Sequence, residues 1–397
     1  MRVLLVNQYY PPDGAATATM AAGAAAALTK RGHEVMVLAG RASYDVTERD
    51  AWRPWQTSTV DGITVRRVGS SAFDRSRMAG RVSNYLTYGA WCAPLAATTR
   101  ADVVVGMSDP PFAGILAGAI AALRRRPFVY WLHDLHPEFP LATGDLKRNV
   151  VVTQWQALHR RALRRATAVV VLGDDMAMRA TAAGADAERV HVVRSGSPVY
   201  PSATPGSDAV RAEIRGDAPF VVLHAGNLGQ AVAWRALVDG VKALRPDEAN
   251  LVFVGGGAER DAAVRAADDS DVIRFHDYWP PEQVGDVLRA GDVDAVTVRR
   301  GLEGLVVPSR LYSVLAAGRP VLAVADETSD VVTLVRRHEC GLVADPDDPA
   351  SVADAISWAR GHPVELAEMG KRAQLAAVDY DRDTLLDRLV EIIEAAA

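Results

Sequence analysis

The sequence predicts an α/β protein built from two doubly wound, Rossmann-like domains. Three observations lead there. At 397 residues the chain exceeds what one hydrophobic core supports, so two domains of about 200 residues are expected. Short Val- and Leu-rich runs, apolar on both faces, alternate with helical patterns, as in a parallel sheet covered on both sides. A proline- and glycine-rich stretch then breaks that alternation at mid-chain.

The first series of strands is "RVLLVNQ" (2–8), "EVMVLAG" (34–40), "ITVRRVG" (63–69), "VVVGMS" (103–108), "FVYWLHD" (128–134), "AVVVLG" (168–173) and "RVHVVRSG" (189–196). The linker is "PVYPSATPGSDAVRAEIRGDAP" (198–219), with Pro198, Pro201, Pro205 and Pro219. The second series is "FVVLHAGN" (220–227), "NLVFVGGG" (250–257), "VIRFHDY" (272–278), "VDAVTVR" (293–299), "PVLAVAD" (320–326) and "GLVADP" (341–346). Domains of 1–199 and 200–378 follow, with a final amphipathic helix over 379–397 whose stripe is Leu385, Leu389 and Ile392, widened by Leu386 and Ile393. The alanine-rich 15–32 is a helix, since Ala favours one and Lys30-Arg31-Gly32 closes it.

Composition removes several function classes. A net charge of -5 argues against a nucleic-acid partner, which would require a surplus of Lys and Arg. Two distant cysteines, Cys92 and Cys340, suggest neither a disulfide scaffold nor a zinc site, and fit a reducing cytoplasm. No run approaches the ~18 apolar residues of a membrane span, and the N-terminus lacks a signal-peptide pattern. The expected location is cytoplasmic, with peripheral contact at the inner membrane face left open. The segment 75–100, with its arginines, Tyr85, Tyr88 and Trp91, would be an interfacial helix or simply a buried one.

In open parallel sheets ligands bind at the carboxyl ends of strands, here across a cleft between two sheets. Three segments leave strands at that end. In "QYYPPDGAATA" (8–18), Gly14 permits close backbone approach ahead of a helix, beside Asp13. It is no dinucleotide fingerprint, because G-x-G-x-x-G is missing. "WLHDLHPEFPLATG" (131–144) gathers His133, Asp134, His136 and Glu138, suited to substrate contacts or proton transfer more than to a metal, given Pro137 and Pro140. In "GLEGLVVPSRLYSVLAAGRPVLA" (301–323), Pro308 suits a first helical position, leaving amides near Ser309 to Leu311 to face an anion with Arg310 as its bidentate partner. Glu303, Arg299 and Arg300 crowd the same loop. The acidic runs 268–271 and 345–349 read as solvated turns, and the basic runs 124–128 and 159–166 as exposed helical faces.

From "QYYPPDGAATATMAAGAAAALTKRGHEVMVLAG", "DLHPEFPLATG", "HAGNLGQA", "VPSRLYSVLAAGRPVLAV" and "ECGLVADPDDPASVADAI", in that order along the whole chain, the sequence resembles the retaining family 4 glycosyltransferases of the GT-B fold, in the branch that builds bacterial polysaccharides and glycoconjugates. The resemblance implies transfer of a hexose-type sugar from a nucleotide diphosphate sugar to a hydroxyl or other nucleophile, with retention. It implies no obligatory metal, a donor held mainly by the second domain, an acceptor mainly by the first, and a final helix crossing back to the first. Carried over by position, Arg310 would be catalytic and Asp134 would face the acceptor or sugar; Asp134 or His133 would assist the chemistry, and Glu303, two residues before the out-of-register position 305, would substitute for the missing sugar-contacting glutamate. Gly14, Asn227, Gln230, Asp277, Tyr278, Trp279, Val306, Val307, Ser309 and Ser313 would bind the donor, with Asp13, His136 and Glu138 on the acceptor side. Two departures stand out. Leu305 and Ser313 occupy positions where the family commonly carries glutamates, and Gln230 stands where relatives often place an arginine on the phosphates, shifting that charge to Arg310 or Arg235.

The acceptor would be a sugar, a lipid-linked glycan, or a soluble small molecule such as a natural product or thiol; oligomeric state is left open. Two other classes share the architecture: a nucleotide-sugar epimerase, which turns over donor without acceptor, and a non-catalytic nucleotide-sugar binder.

Overall fold

The computed structural model describes residues 1–41, 53–73, 78–198 and 207–397. Residues 199–206 of the proline-rich linker and the start of the 75–100 segment lie outside them. Two compact units result, Met1–Arg194 with Asp383–Ala397, and Ser195–Arg382.

The sheet of the first unit contains β1 (Arg2–Val6), β2 (Glu34–Ala39), β3 (Trp55–Val60), β4 (Ile63–Val68), β5 (Val103–Met107), β6 (Phe128–Trp131), β7 (Ala168–Val171) and β8 (Val190–Val192). Their order is β3-β4-β2-β1-β5-β6-β7-β8, parallel except for the β3–β4 hairpin. Strands β5, β6 and β7 are buried along their whole length, as both-face apolar runs require. β3 was not among the expected strands. Its sequence "WQTSTV" is exposed throughout and has no apolar face to signal it. The signal was in the turn, since Asp61 and Gly62 both adopt positive φ, the Asp-Gly chemistry of a tight hairpin.

The helix Ala16–Lys30 packs its Ala21, Ala24, Ala25 and Leu28 into the same core as the C-terminal helix Arg382–Ala396. Gly23 makes that approach close, because a Cβ there would stand 2.7 Å from Leu386 Cδ1. The buried stripe of the C-terminal helix is Leu386, Leu389, Val390 and Ile393, with Leu385 and Ile392 at its flanks. This is a rotation of the expected stripe by about one residue. Arg31 pairs with Glu391 and Glu394 at 3.2 and 3.0 Å; such solvated pairs add little, so the apolar stripe holds the helix.

Helix Met78–Thr98 turns Asn84, Tyr88, Cys92 and Ala96 inward at four-residue spacing. Tyr88 is fully buried and donates to Leu38 O at 2.9 Å, which removes it from any lipid-facing role. Val82 and Leu86 are exposed. Among the described residues no helix is long and apolar enough to cross a membrane.

The second sheet contains β9 (Val221–Ala225), β10 (Asn250–Val254), β11 (Ile273–His276), β12 (Val293–Thr297), β13 (Val321–Val324) and β14 (Gly341–Ala344), all parallel, in the order β11-β10-β9-β12-β13-β14. Its unit runs from Ser195 to Arg382, a few residues from the expected limits of 199 and 378. The two chain passages pair there: Ser197 N donates to Tyr380 O at 3.2 Å, and Arg382 Nε to Ser195 O at 3.3 Å.

Candidate functional site

Strand order locates a site in each unit. In the second sheet the chain runs outward from β9 to β10 and β11, then returns to the other side of β9 as β12. The first sheet does the same at β1 and β5. Loops at such a switch point diverge and leave a crevice at the strands' carboxyl ends.

In the second unit that crevice is edged by two interlocked glycine turns, 226–229 after β9 and 255–257 after β10. Leu228 N donates to Gly256 O at 2.7 Å, and a Cβ on Gly255, at φ +128°, would stand 2.3 Å from Gly226 O. Only glycine allows this contact. The "VGGG" run therefore shapes the turn that carries Asn227. Tyr278 lies over it, its hydroxyl 3.4 Å from Gly256 O, while Asp277 pairs with Arg260 at 3.2 Å and Trp279 is half-buried.

Arg310 enters from the other side. Its guanidinium bonds His224 Nε2 and donates from Nη2 to Asn227 O at 3.1 Å. Burial draws its pKa down to about 10, so it remains cationic at neutral pH. His224 is fully buried on β9, and burial, then the Arg310 charge, push it well below its ordinary range. The imidazole is thus neutral and presents Nε2 as an acceptor to the guanidinium. His224 opens the passage "HAGNLGQA" but was not singled out, because a histidine inside an apolar strand reads as core.

Two expectations for the 301–323 segment are corrected. The helix starts at Arg310, not Pro308, and runs only to Ala316. Ser309 N donates to Val307 O at 2.9 Å and Leu311 N to Pro308 O at 3.1 Å, so two of the three amides offered to an anion are already engaged. Glu303 is buried, with both carboxylate oxygens on Gly301 N at 3.0 and 2.9 Å. It closes its own loop through one N–H, which leaves acceptor sites on the carboxylate. Val306 and Val307 are half-buried, Leu305 is buried, and Ser313 is buried on the helix behind Arg310. Arg235 stacks on the Trp234 ring at 4.3 Å, occupied there by a cation–π contact. Gln230 is half-buried, and its carbonyl accepts from Arg299 Nη1 at 2.9 Å.

In the first unit the loop after β1 is held by Arg67, which donates to Gly40 O and Tyr10 O at 3.2 Å and also to Pro11 O. Asp13 is buried with its carboxylate 3.9 Å from Arg67, which makes it part of that scaffold. Gly14 is exposed. Beside them, Asn7 Oδ1 and Gln8 Oε1 are buried without a hydrogen-bond partner. After β5, Ser108 Oγ accepts from the amides of His133 and Asp134 at 3.0 and 3.2 Å, and Asp109 accepts from Thr17 Oγ1 at 2.6 Å. Asn7, Gln8, Ser108 and Asp109 were not singled out from the sequence; their signal is that polar residues directly follow the two strands flanking the switch.

The four residues after β6 divide. Burial, then the neighbouring Asp109 charge, raise Asp134 to about 7, a value suited to proton transfer near neutrality. Burial lowers His133 to about 3, so it is neutral and a weak base. His136, lowered to about 4 by burial and then His159, stacks on Trp155 with ring centroids 6.3 Å apart. Burial alone would raise Glu138, but contacts with His159 and Gln156 outweigh it and leave its pKa lowered. His136 and Glu138 therefore face the helix Val150–Arg165. Among the described residues no group of three or more His, Cys, Asp or Glu is arranged to hold a metal ion.

A family model described as "Glycosyl transferase 4-like domain" matches residues 15–196, and one described as "Glycosyl transferases group 1" matches 219–360. The chain belongs to the family 4 glycosyltransferases of the GT-B fold. This glycosyltransferase is 26% identical over 275 residues to the probable glycosyltransferase WbjE of Pseudomonas aeruginosa, a match covering 65% of the chain and 66% of WbjE. Its fold matches sucrose-phosphate synthase of Thermosynechococcus elongatus (TM-score 0.76, 14% identity, all of both chains) and HepE of Anabaena in complex with UDP (TM-score 0.68, 17% identity, all of both chains). The likeness to WbjE fits the bacterial glycoconjugate branch.

Proposed function

We propose that the chain transfers a hexose-type sugar from a nucleoside diphosphate sugar to a nucleophilic acceptor with retention of configuration. The second unit binds the donor, and Asp134 with its neighbours in the first unit handles the acceptor. The observation that carries this reading is Arg310, a half-buried cation with no carboxylate partner among the described residues, poised at the switch point on Asn227 and His224. HepE, a structural neighbour, is described in complex with UDP, UDP and glucose, and UDP-glucose, which supports the same ligand class here.

In the proposed reaction the bond from the anomeric carbon to the diphosphate oxygen breaks and a bond to the acceptor oxygen forms on the same face. The acceptor's proton passes to the departing diphosphate oxygen. Negative charge grows on the diphosphate as the bond opens, and Arg310, held in place before the reaction, stabilises that charge with little reorganisation. Asp134, titrating near neutrality, contributes a hydrogen bond to the acceptor or sugar. Because the charge is met by arginine, turnover is expected to survive removal of divalent metal by a chelator.

The test is a thermal-shift panel of nucleoside diphosphate sugars, followed by mass spectrometry of products with sugar, lipid-linked and soluble acceptors. A glycosylated acceptor plus nucleoside diphosphate supports the reading. Donor isomerised without acceptor, or donor bound and never consumed, would replace it with an epimerase or a binder.

A further inference from the structure

We propose that Arg299 is a second cation for the donor diphosphate, working with Arg310 from the opposite end of the 226–230 turn. This rests on the donor-binding role of the second unit.

Arg299 stands two residues after β12 and the turn directly follows β9, and these strands are the neighbours between which the strand order reverses. Its Nη1 donates to Gln230 O at 2.9 Å, while Arg310 Nη2 donates to Asn227 O at 3.1 Å. One short turn is therefore gripped by two guanidiniums, each on a main-chain carbonyl. A carbonyl orients an arginine without neutralising it. A guanidinium has about five N–H donors, so most of those on Arg299 remain for an anion.

The contrast with the next residue is sharp. Arg300 is saturated by Asp326, Asp345 and Asp347. Its charge is spent on loop anchoring. Arg299 is exposed and has no carboxylate partner among the described residues. Of the other candidates, Arg235 is held on the Trp234 ring and the amides of Ser309 and Leu311 are bonded. A nucleoside diphosphate sugar carries about two negative charges, and the released nucleoside diphosphate about three near neutral pH. Arg310 alone undercompensates either. Gln230, whose side chain is neutral, sits on the very carbonyl that holds Arg299, so the turn itself draws in the missing charge.

The experiment titrates UDP, GDP and ADP calorimetrically into the full chain and carries the best binder forward with its matching nucleoside. R299Q should weaken the diphosphate at least tenfold and leave the nucleoside unchanged, while R235Q should change neither. The double variant R299Q/Q230R should recover most of the loss, because an arginine at 230 places a cation on the same turn. Q230R alone should tighten the diphosphate, and carries the test if R299Q does not fold. If R299Q binds the diphosphate as the parent does, or loses diphosphate and nucleoside equally, or if Q230R neither rescues nor tightens, the assignment is overturned. If the unaltered chain binds no nucleoside diphosphate, the donor reading itself falls, a result distinct from a silent R299Q.

Discussion

Asp134→Asn gives the most quantitative check on the first unit. The Asp134 carboxyl is raised from 3.8 to about 7 by burial and then by the Asp109 charge. That rise corresponds to ~4 kcal/mol between the folded and unfolded titrations, trimmed to about 2–4 because the side chain is not wholly sealed from water. The sign follows from the raised folded pKa. The neutral form is favoured by the fold, so stability is greatest below about pH 4 and is lost as pH rises through about 7. Asparagine cannot ionise, and D134N should therefore gain on the parent as pH rises, by about 2 kcal/mol between pH 5 and pH 8. Urea unfolding of both proteins across that range measures the difference directly. Curves that stay parallel from pH 5 to 8 would refute the raised pKa of the buried Asp134 and the proton-transfer role argued from it.

Three further outcomes are expected. His224→Phe keeps a ring against Phe253 but removes the acceptor of Arg310, and should raise donor KM about tenfold, equivalent to ~1.4 kcal/mol for a charge-assisted bond; an unchanged KM in steady-state assays would show that His224 does not place Arg310. Ser313→Glu should tighten donor binding several-fold in calorimetry if this position faces the ribose, and no change would displace Ser313 from the donor site. Leu389→Ala empties a fully buried position under the C-terminal helix and should cost about 2–5 kcal/mol in urea unfolding of the full chain, whereas a cost below about 1 kcal/mol would mean that the helix is not held by its apolar stripe.

Much of this architecture was legible because burial on both faces leaves a strong mark. Each expected Val- and Leu-rich run contains a strand, and the rhythm of strand and helix fixes a parallel sheet. β3 escaped for the complementary reason, since an exposed edge strand pays no toll in hydrophobicity and only Asp61-Gly62 marked it. At the site, the sequence pointed to Arg310 and Asp134 from their places after strands. It could not tell Arg299 from Arg300, adjacent and chemically identical, because their roles depend on which loops arrive beside them: a carbonyl for one, three aspartates for the other. Glu303 was legible only in part, for the same reason. A carboxylate in a glycine loop suggests a ligand contact, and nothing in the sequence announced that it also satisfies the backbone of Gly301. The role of His224, the first residue of "HAGNLGQA", was not legible because it lies near the end of an apolar strand and its partner lies 86 positions away.

The central claim is that Arg310, held at the switch point of the second sheet, binds the diphosphate of a nucleotide sugar. Calorimetric titration of UDP, GDP and ADP into the parent protein and into R310A tests it most directly. At least one should bind the parent and lose about a hundredfold in affinity in R310A, as expected for loss of a buried charge-assisted contact. Equal affinity in the two proteins, or no binding of any nucleoside diphosphate to the parent, would contradict the account.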